Sequence, residues 1–238
     1  MAMNKRLHRG KALVSCLCLA SLFLLTLHAP QGSAQTQTIK MPIKKPGQKG
    51  PEKPDAKPPS TPPEESIPAP KIPADYDVEM RRVNNLIERN DKNADAFFTR
   101  GWLHDMAGKY QLATQDYTKA IQINSKHANA YYNRGLVFVR LKQYGQAAKD
   151  FSEVIKLQPS AVDAYCNRAN AYFRLGRMKL ALQDFDAGLG VKPNDPDLYY
   201  NRGLVYAAMG EKPKAAADMR KAAQAGHAKA KEYLKTSR

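Results

Sequence analysis

From Ala94 onward, small and large apolar residues return every 34 positions, four times and without insertion. The repeats occupy 94–127, 128–161, 162–195 and 196–229, and open with ADAFFTRGW, ANAYYNRGL, VDAYCNRAN and PDLYYNRGL. Half a repeat later come YQLATQDYTKAI, YGQAAKDFSEVI, MKLALQDFDAGL and KPKAAADMRKAA. A large aromatic holds the fourth position of each unit (Phe97, Tyr131, Tyr165, Tyr199). Small residues hold the eighth (Gly101, Gly135, Ala169, Gly203) and the twentieth (Ala113, Ala147, Ala181, Ala215). The twenty-fourth is bulky (Tyr117, Phe151, Phe185, Met219). This pattern predicts two helices per unit, the first near 94–107, 128–141, 162–175 and 196–209, the second near 110–123, 144–157, 178–191 and 212–225. Gly108, Gly176 and Gly210 mark turns inside the pairs, and Pro159 and Pro193 end the second and third units. Asp195 before Pro196 reads as an N-cap, and Ser160 with Asp163 as a looser one.

A glycine inside a helix costs about 1 kcal/mol relative to alanine. Three in phase imply an offsetting gain, and close approach of the two helices of a unit supplies one. Each pair then leaves apolar faces at both ends that only a neighbouring pair can cover, so the units must stack. Residues 76–90, YDVEMRRVNNLIERN, match the second half of a unit and are expected to cap one end. Residues 228–236, AKAKEYLKT, are expected to cap the other, closing a domain of 76–238.

Over 94–229 the chain resembles the tetratricopeptide repeat proteins in these phased positions. The resemblance implies an all-α fold: a right-handed superhelical solenoid of four stacked helix-turn-helix repeats with capping helices at both ends. It also implies that the first helices line a concave groove through their second, fifth, sixth, ninth, twelfth and thirteenth positions. Here these include Phe98, Trp102, Tyr132, Asn133, Leu136, Arg140, Cys166, Asn167, Asn170, Phe173, Arg174, Tyr200 and Asn201. Aromatics beside amides suit an extended peptide, rings supplying area and amides bonding the backbone. Relatives that grip a terminal carboxylate carry lysines at the second and fifth positions and asparagine at the ninth of the first unit. This chain has Asp95, Phe98 and Trp102 there, so such a clamp is not expected.

Composition adds a frame around the repeats. Lys5, Arg6, Arg9 and Lys11 precede an apolar run, Ala12 to Leu27, followed by Gly32, Ser33 and Ala34. That order predicts a secretory signal peptide, 1–34, cleaved after Ala34. Retention of residues 12–27 as an inner-membrane anchor is the alternative, although the run is shorter than the ~20 residues of a spanning helix. The Leu13–Cys16 box opens the apolar run instead of closing it, which argues against lipidation. Residues 35–75 carry 11 prolines, seven lysines and no aromatic side chain. They are expected to form a disordered linker reaching on the order of 125 Å when fully extended.

Removal of the leader would leave Cys166 of the three cysteines, so no disulfide scaffold is expected. It would also lower the formal charge of +16 by four. In an exported protein this charge points away from nucleic acid. An anionic wall or membrane polymer, held through the basic surface and the Lys/Pro linker, stands as the alternative partner.

The seventh position is arginine in every unit (Arg100, Arg134, Arg168, Arg202), and sixteen residues later stands aspartate (Asp116, Asp150, Asp184, Asp218). Four acids matched in phase to four bases predict structural ion pairs within or between units. Cys166 has no evident base beside it for covalent chemistry, and His104, His127 and His227 show no metal spacing. No phosphate loop, nucleophile motif or catalytic carboxylate pair is apparent, so no cofactor and no enzymatic activity are expected. The function expected is a scaffold or adaptor of the periplasm or cell envelope, with a protein or peptide in the groove. Self-association through the end faces is a further option. A soft joint is expected where Gly188 and Gly190 fall late in the sixth of the repeat helices.

Overall fold

A computed structural model describes residues 75–236. The signal peptide, the alternative anchor and the linker up to residue 74 lie outside the described residues. The described chain forms ten helices and no strand. They are α1 (Tyr76–Arg89), α2 (Ala94–Met106), α3 (Tyr110–Ile123), α4 (Ala128–Arg140), α5 (Tyr144–Leu157), α6 (Val162–Arg174), α7 (Met178–Val191), α8 (Pro196–Ala208), α9 (Lys212–Gln224) and α10 (Ala228–Thr236). Helices α2/α3, α4/α5, α6/α7 and α8/α9 are the four units. Each helix packs on the one before and the one after, which makes the array a solenoid.

The eighth and twenty-fourth positions build the interior of each unit. Tyr117, Phe151, Phe185 and Met219 are completely buried. Burying side chains of this size stabilises by about 1.5–3 kcal/mol each. A Cβ on Gly101 would stand 2.9 Å from Tyr117 Cδ1, and one on Gly135 2.8 Å from Phe151 Cε1. The missing side chain is therefore what lets the ring seat.

Helix starts have several chemistries. Asp195 Oδ1 accepts from the backbone N–H groups of Asp197 and Leu198, as expected of an N-cap ahead of Pro196. The anticipated Ser160 cap does not form: α6 starts after Ala161, with no side-chain hydrogen bond. Three caps escaped the sequence reading, the first being Asn93, whose Oδ1 accepts from Ala96 N–H at 3.0 Å. His127 Nδ1 accepts from Ala130 N–H at 3.2 Å, and His227 Nδ1 from Ala230 N–H at 3.1 Å. Between the helices of a unit, Gly108, Gly176 and Gly210 take positive φ. In the second unit Lys142 does so instead, at φ 59°.

Helix α7 remains helical through Val191, with Lys192 N–H bonded to Gly188 O, so its glycines do not interrupt the helix. Gly188 is buried where α8 arrives, and a Cβ there would lie 3.1 Å from Leu198 Cδ1. Its smallness admits a larger neighbour.

At the ends, α1 buries Val83 against Ala96 and Leu103, with Met80 and Ile87 alongside. Helix α10 places Ala230 against Met219 and Ala222, flanked by Tyr233 and Leu234.

Candidate functional site: the inner wall of the stack

The seventh-position arginines form one construction four times. Arg134 Nε and Nη2 donate to the two oxygens of Asp150, both at 2.8 Å, while Nη1 donates to Thr118 Oγ1 in the preceding unit at 2.9 Å. Arg100 pairs with Asp116 and reaches Asn84 of α1. Arg168 pairs with Asp184 and reaches Ser152, and Arg202 pairs with Asp218 and reaches Asp186. Each guanidinium also lies over the aromatic at the fourth position, from 5.4 Å for Arg100 over Phe97 to 5.9 Å for Arg168 over Tyr165. One side chain thus ties two helices of its own unit and one of the unit before. The hydrogen bonds they donate to Asp116, Asp184 and Asp218 raise Arg100, Arg168 and Arg202 above the ordinary value, with burial opposing. For Asp150, burial raises the carboxyl and Arg134 draws it back. These eight residues belong to the framework.

Successive first helices, expected to line the inner wall, meet through side chains 35 residues apart. Asn167 Nδ2 donates to Tyr132 Oη at 3.0 Å. Asn201 Nδ2 lies 3.9 Å from Cys166 Sγ, and Asn170 Nδ2 lies 3.8 Å from the same sulfur. Arg140 Nη1 donates to both carboxylate oxygens of Asp105, at 2.9 and 3.0 Å. Burial raises the Asp105 carboxyl, and Arg140 pulls it down. Tyr132 packs edge-on to Phe151, and burial first, then Asp163, pushes its phenol up to about 12.

The thirteen residues assigned to the groove divide into two groups. Phe98, Trp102, Tyr132, Asn133, Leu136, Arg140, Asn167, Asn170 and Arg174 are half-buried along the wall. Phe98 packs against the rings of Tyr117 and His127, and Arg140 is tied to Asp105. Cys166, Phe173, Tyr200 and Asn201 are buried. They fill space between units, and the stacking of Tyr200 on His227 at 4.2 Å shows the C-terminal cap closing over that end. Asp105 was missed because its role appears only once the next unit supplies Arg140. A pairing search at an offset of 35 residues would have found it.

Tetratricopeptide repeat family models match residues 107–142, 132–196 and 196–225. The chain belongs to the tetratricopeptide repeat family. Its described helices are also similar to solved structures of MamA. One crystal structure of MamA is 22% identical with a TM-score of 0.62, covering 66% of this chain and 92% of that one. MamA from Desulfovibrio magneticus RS-1, taken from residue 41 to its end, is 18% identical with a TM-score of 0.61, covering 64% and 86%. At these identities the likeness establishes the tetratricopeptide solenoid and no more. No curated protein sequence matches the chain.

Proposed function

We propose that this tetratricopeptide repeat protein is a non-catalytic adaptor of the periplasm or cell envelope, holding an extended segment of another protein along its inner wall. One observation carries the reading. First helices of successive units are tied side by side through bonds 35 residues apart, and half-buried rings, amides and aliphatic side chains run along them as one surface. A surface so ordered in the free protein binds a guest with little further loss of side-chain freedom. Amides such as Asn133 suit a peptide backbone, and Trp102 and Leu136 offer apolar area. The basic residues, apolar run and small residues at the start of the sequence support export, and the proline-rich stretch after them supports a tether.

Affinity capture from envelope extracts, with crosslinking, tests the reading. The comparison is between the native protein and a Leu136→Arg variant checked for an unchanged melting temperature. The native protein is expected to retain partners that the blocked wall loses. An identical set of captured proteins would refute the groove as the binding surface.

A further inference from the structure

Arginine holds the thirteenth position in two units, at Arg140 and Arg174, and the unit before treats them differently. Arg140 meets Asp105 at the twelfth position of the first unit, and both side chains are almost withdrawn from water (11% and 8% exposed). One unit later the twelfth position is Val139, packed beside Phe138, Ala147 and Phe151. Arg174 therefore has the frame of Arg140 without the acid. Among the described residues it makes no ion pair, hydrogen bond or ring contact, although it is half-buried. In the repeat frame the corresponding positions of the adjacent first helices hold Leu136 and Val139 in the second unit and Leu204 and Ala208 in the fourth, all half-buried, and Asn170 stands one turn before Arg174 on its own helix. A guanidinium on such an apolar wall gains most from an acceptor that is charged and planar.

The wider field has the same sign. No aspartate or glutamate occurs from 117 to 149 or from 164 to 183, and the turn of the third unit carries the exposed Arg177. This complements a negatively charged guest and would speed its encounter at low salt.

We propose that Arg174 anchors an acidic, extended segment of the partner protein. A glutamate or aspartate side chain of the guest takes the place against Arg174 that Asp105 takes against Arg140, and an aliphatic neighbour lies on Leu136, Val139 and Leu204. This rests on the adaptor reading above and adds the chemistry of the guest. A carboxylate is favoured over a phosphate because the Asp105–Arg140 contact shows what the frame position accepts: two coplanar oxygens on one Nη.

The test titrates the purified protein with short, labelled, C-terminally amidated peptides that alternate leucine with glutamate, glutamine or phosphoserine. The Leu/Glu peptide is expected to bind about tenfold more tightly than Leu/Gln, as one charge-assisted pair allows. Arg174→Gln should erase that difference. Val139→Asp gives Arg174 an internal acid, as between the first two units, and should weaken the Leu/Glu peptide by about the same factor in a protein shown by circular dichroism to be folded at the assay temperature. Arg177→Gln should change affinity only in a salt-dependent way.

Equal binding of Leu/Glu and Leu/Gln, a glutamate preference surviving both wall variants, or tighter binding of phosphoserine would each overturn the anchor. Failure of every peptide to bind would overturn it too. If peptides bind without discrimination and Leu136→Arg abolishes binding, the groove stands and the acidic anchor alone falls.

Discussion

The first and third joints of the stack are closed by different means on one frame. Between the first two units Ala120 and Ala130 share a cluster with Phe97. Between the last two units the same positions hold Gly188 and Leu198, which are in van der Waals reach. Volume has moved from one side of the joint to the other. Polar edges shift likewise: Arg134 reaches a threonine hydroxyl across the first joint, and Arg202 reaches the Asp186 carboxylate across the third. Selection on such a stack acts on pairs of positions that meet, since packing density and charge must close at each joint. A residue that looks weak in its own column can be correct for its neighbour.

The largest effect expected bears directly on that exchange. Leu198→Ala should cost about 3 kcal/mol, the usual loss for a buried leucine. Gly188→Ala alone should cost about 1 kcal/mol, because overpacking against Leu198 outweighs the better helix propensity. Introduced into Leu198→Ala, the same change should instead stabilise by about 1 kcal/mol, recreating the alanine pair of the first joint. Denaturant unfolding of the four proteins measures this. Equal effects of Gly188→Ala in both backgrounds would mean that the two positions do not share volume.

What both joints have in common is the bidentate arginine. Asp150→Ala removes the acceptor of an Arg134 side chain only 16% exposed, and should cost about 2 kcal/mol or more. In a double-mutant cycle with Arg134→Ala, a coupling of about 1–2 kcal/mol is expected, and strict additivity would sink the pairing.

The second unit differs in its turn, where Lys142 adopts a conformation that glycine takes in the other three units. Lys142→Gly should raise stability by about 1 kcal/mol, read as a higher melting temperature. No gain would show that the interactions of the lysine offset its backbone cost.

The smallest effect concerns the C-terminal end. Burial lowers the His227 pKa from its ordinary value of 6.5 despite Asp197 nearby, and burial lowers His104 as well. Above the unfolded value both states are neutral and no penalty arises. As pH falls below about 6.5 the unfolded chain protonates first, so stability is lost until the folded value is passed. Melting temperatures should therefore decline on acidification below neutrality. His227→Asn, which keeps a cap acceptor, should decline less, whereas parallel pH profiles would remove His227 from the explanation.

The 34-residue period made the fold legible, because a small residue at the eighth position and a bulky one at the twenty-fourth specify a packed pair without reference to any other unit. The arginine–aspartate pairs were legible for the same reason: both partners belong to one unit. The wall was less so. Cys166, Phe173, Tyr200 and Asn201 carry groove positions in the frame, yet the structure buries them, because burial depends on how the next unit or the C-terminal cap leans over them. Gly188 was read as a flaw for want of Leu198, and Asp105 was overlooked for want of Arg140. Every one of these misreadings concerns a contact between units.

The fixed offsets of the arginine contacts carry an architectural consequence. Each arginine bonds a residue sixteen places behind it and another sixteen ahead. Excising residues 128–161 would bring Arg168 onto Thr118 and set Asp105 opposite Arg174. The shortened array would be cross-braced by the same polar pattern, so at that seam the arginine bracing survives the loss of a whole module, while the apolar contacts still have to match.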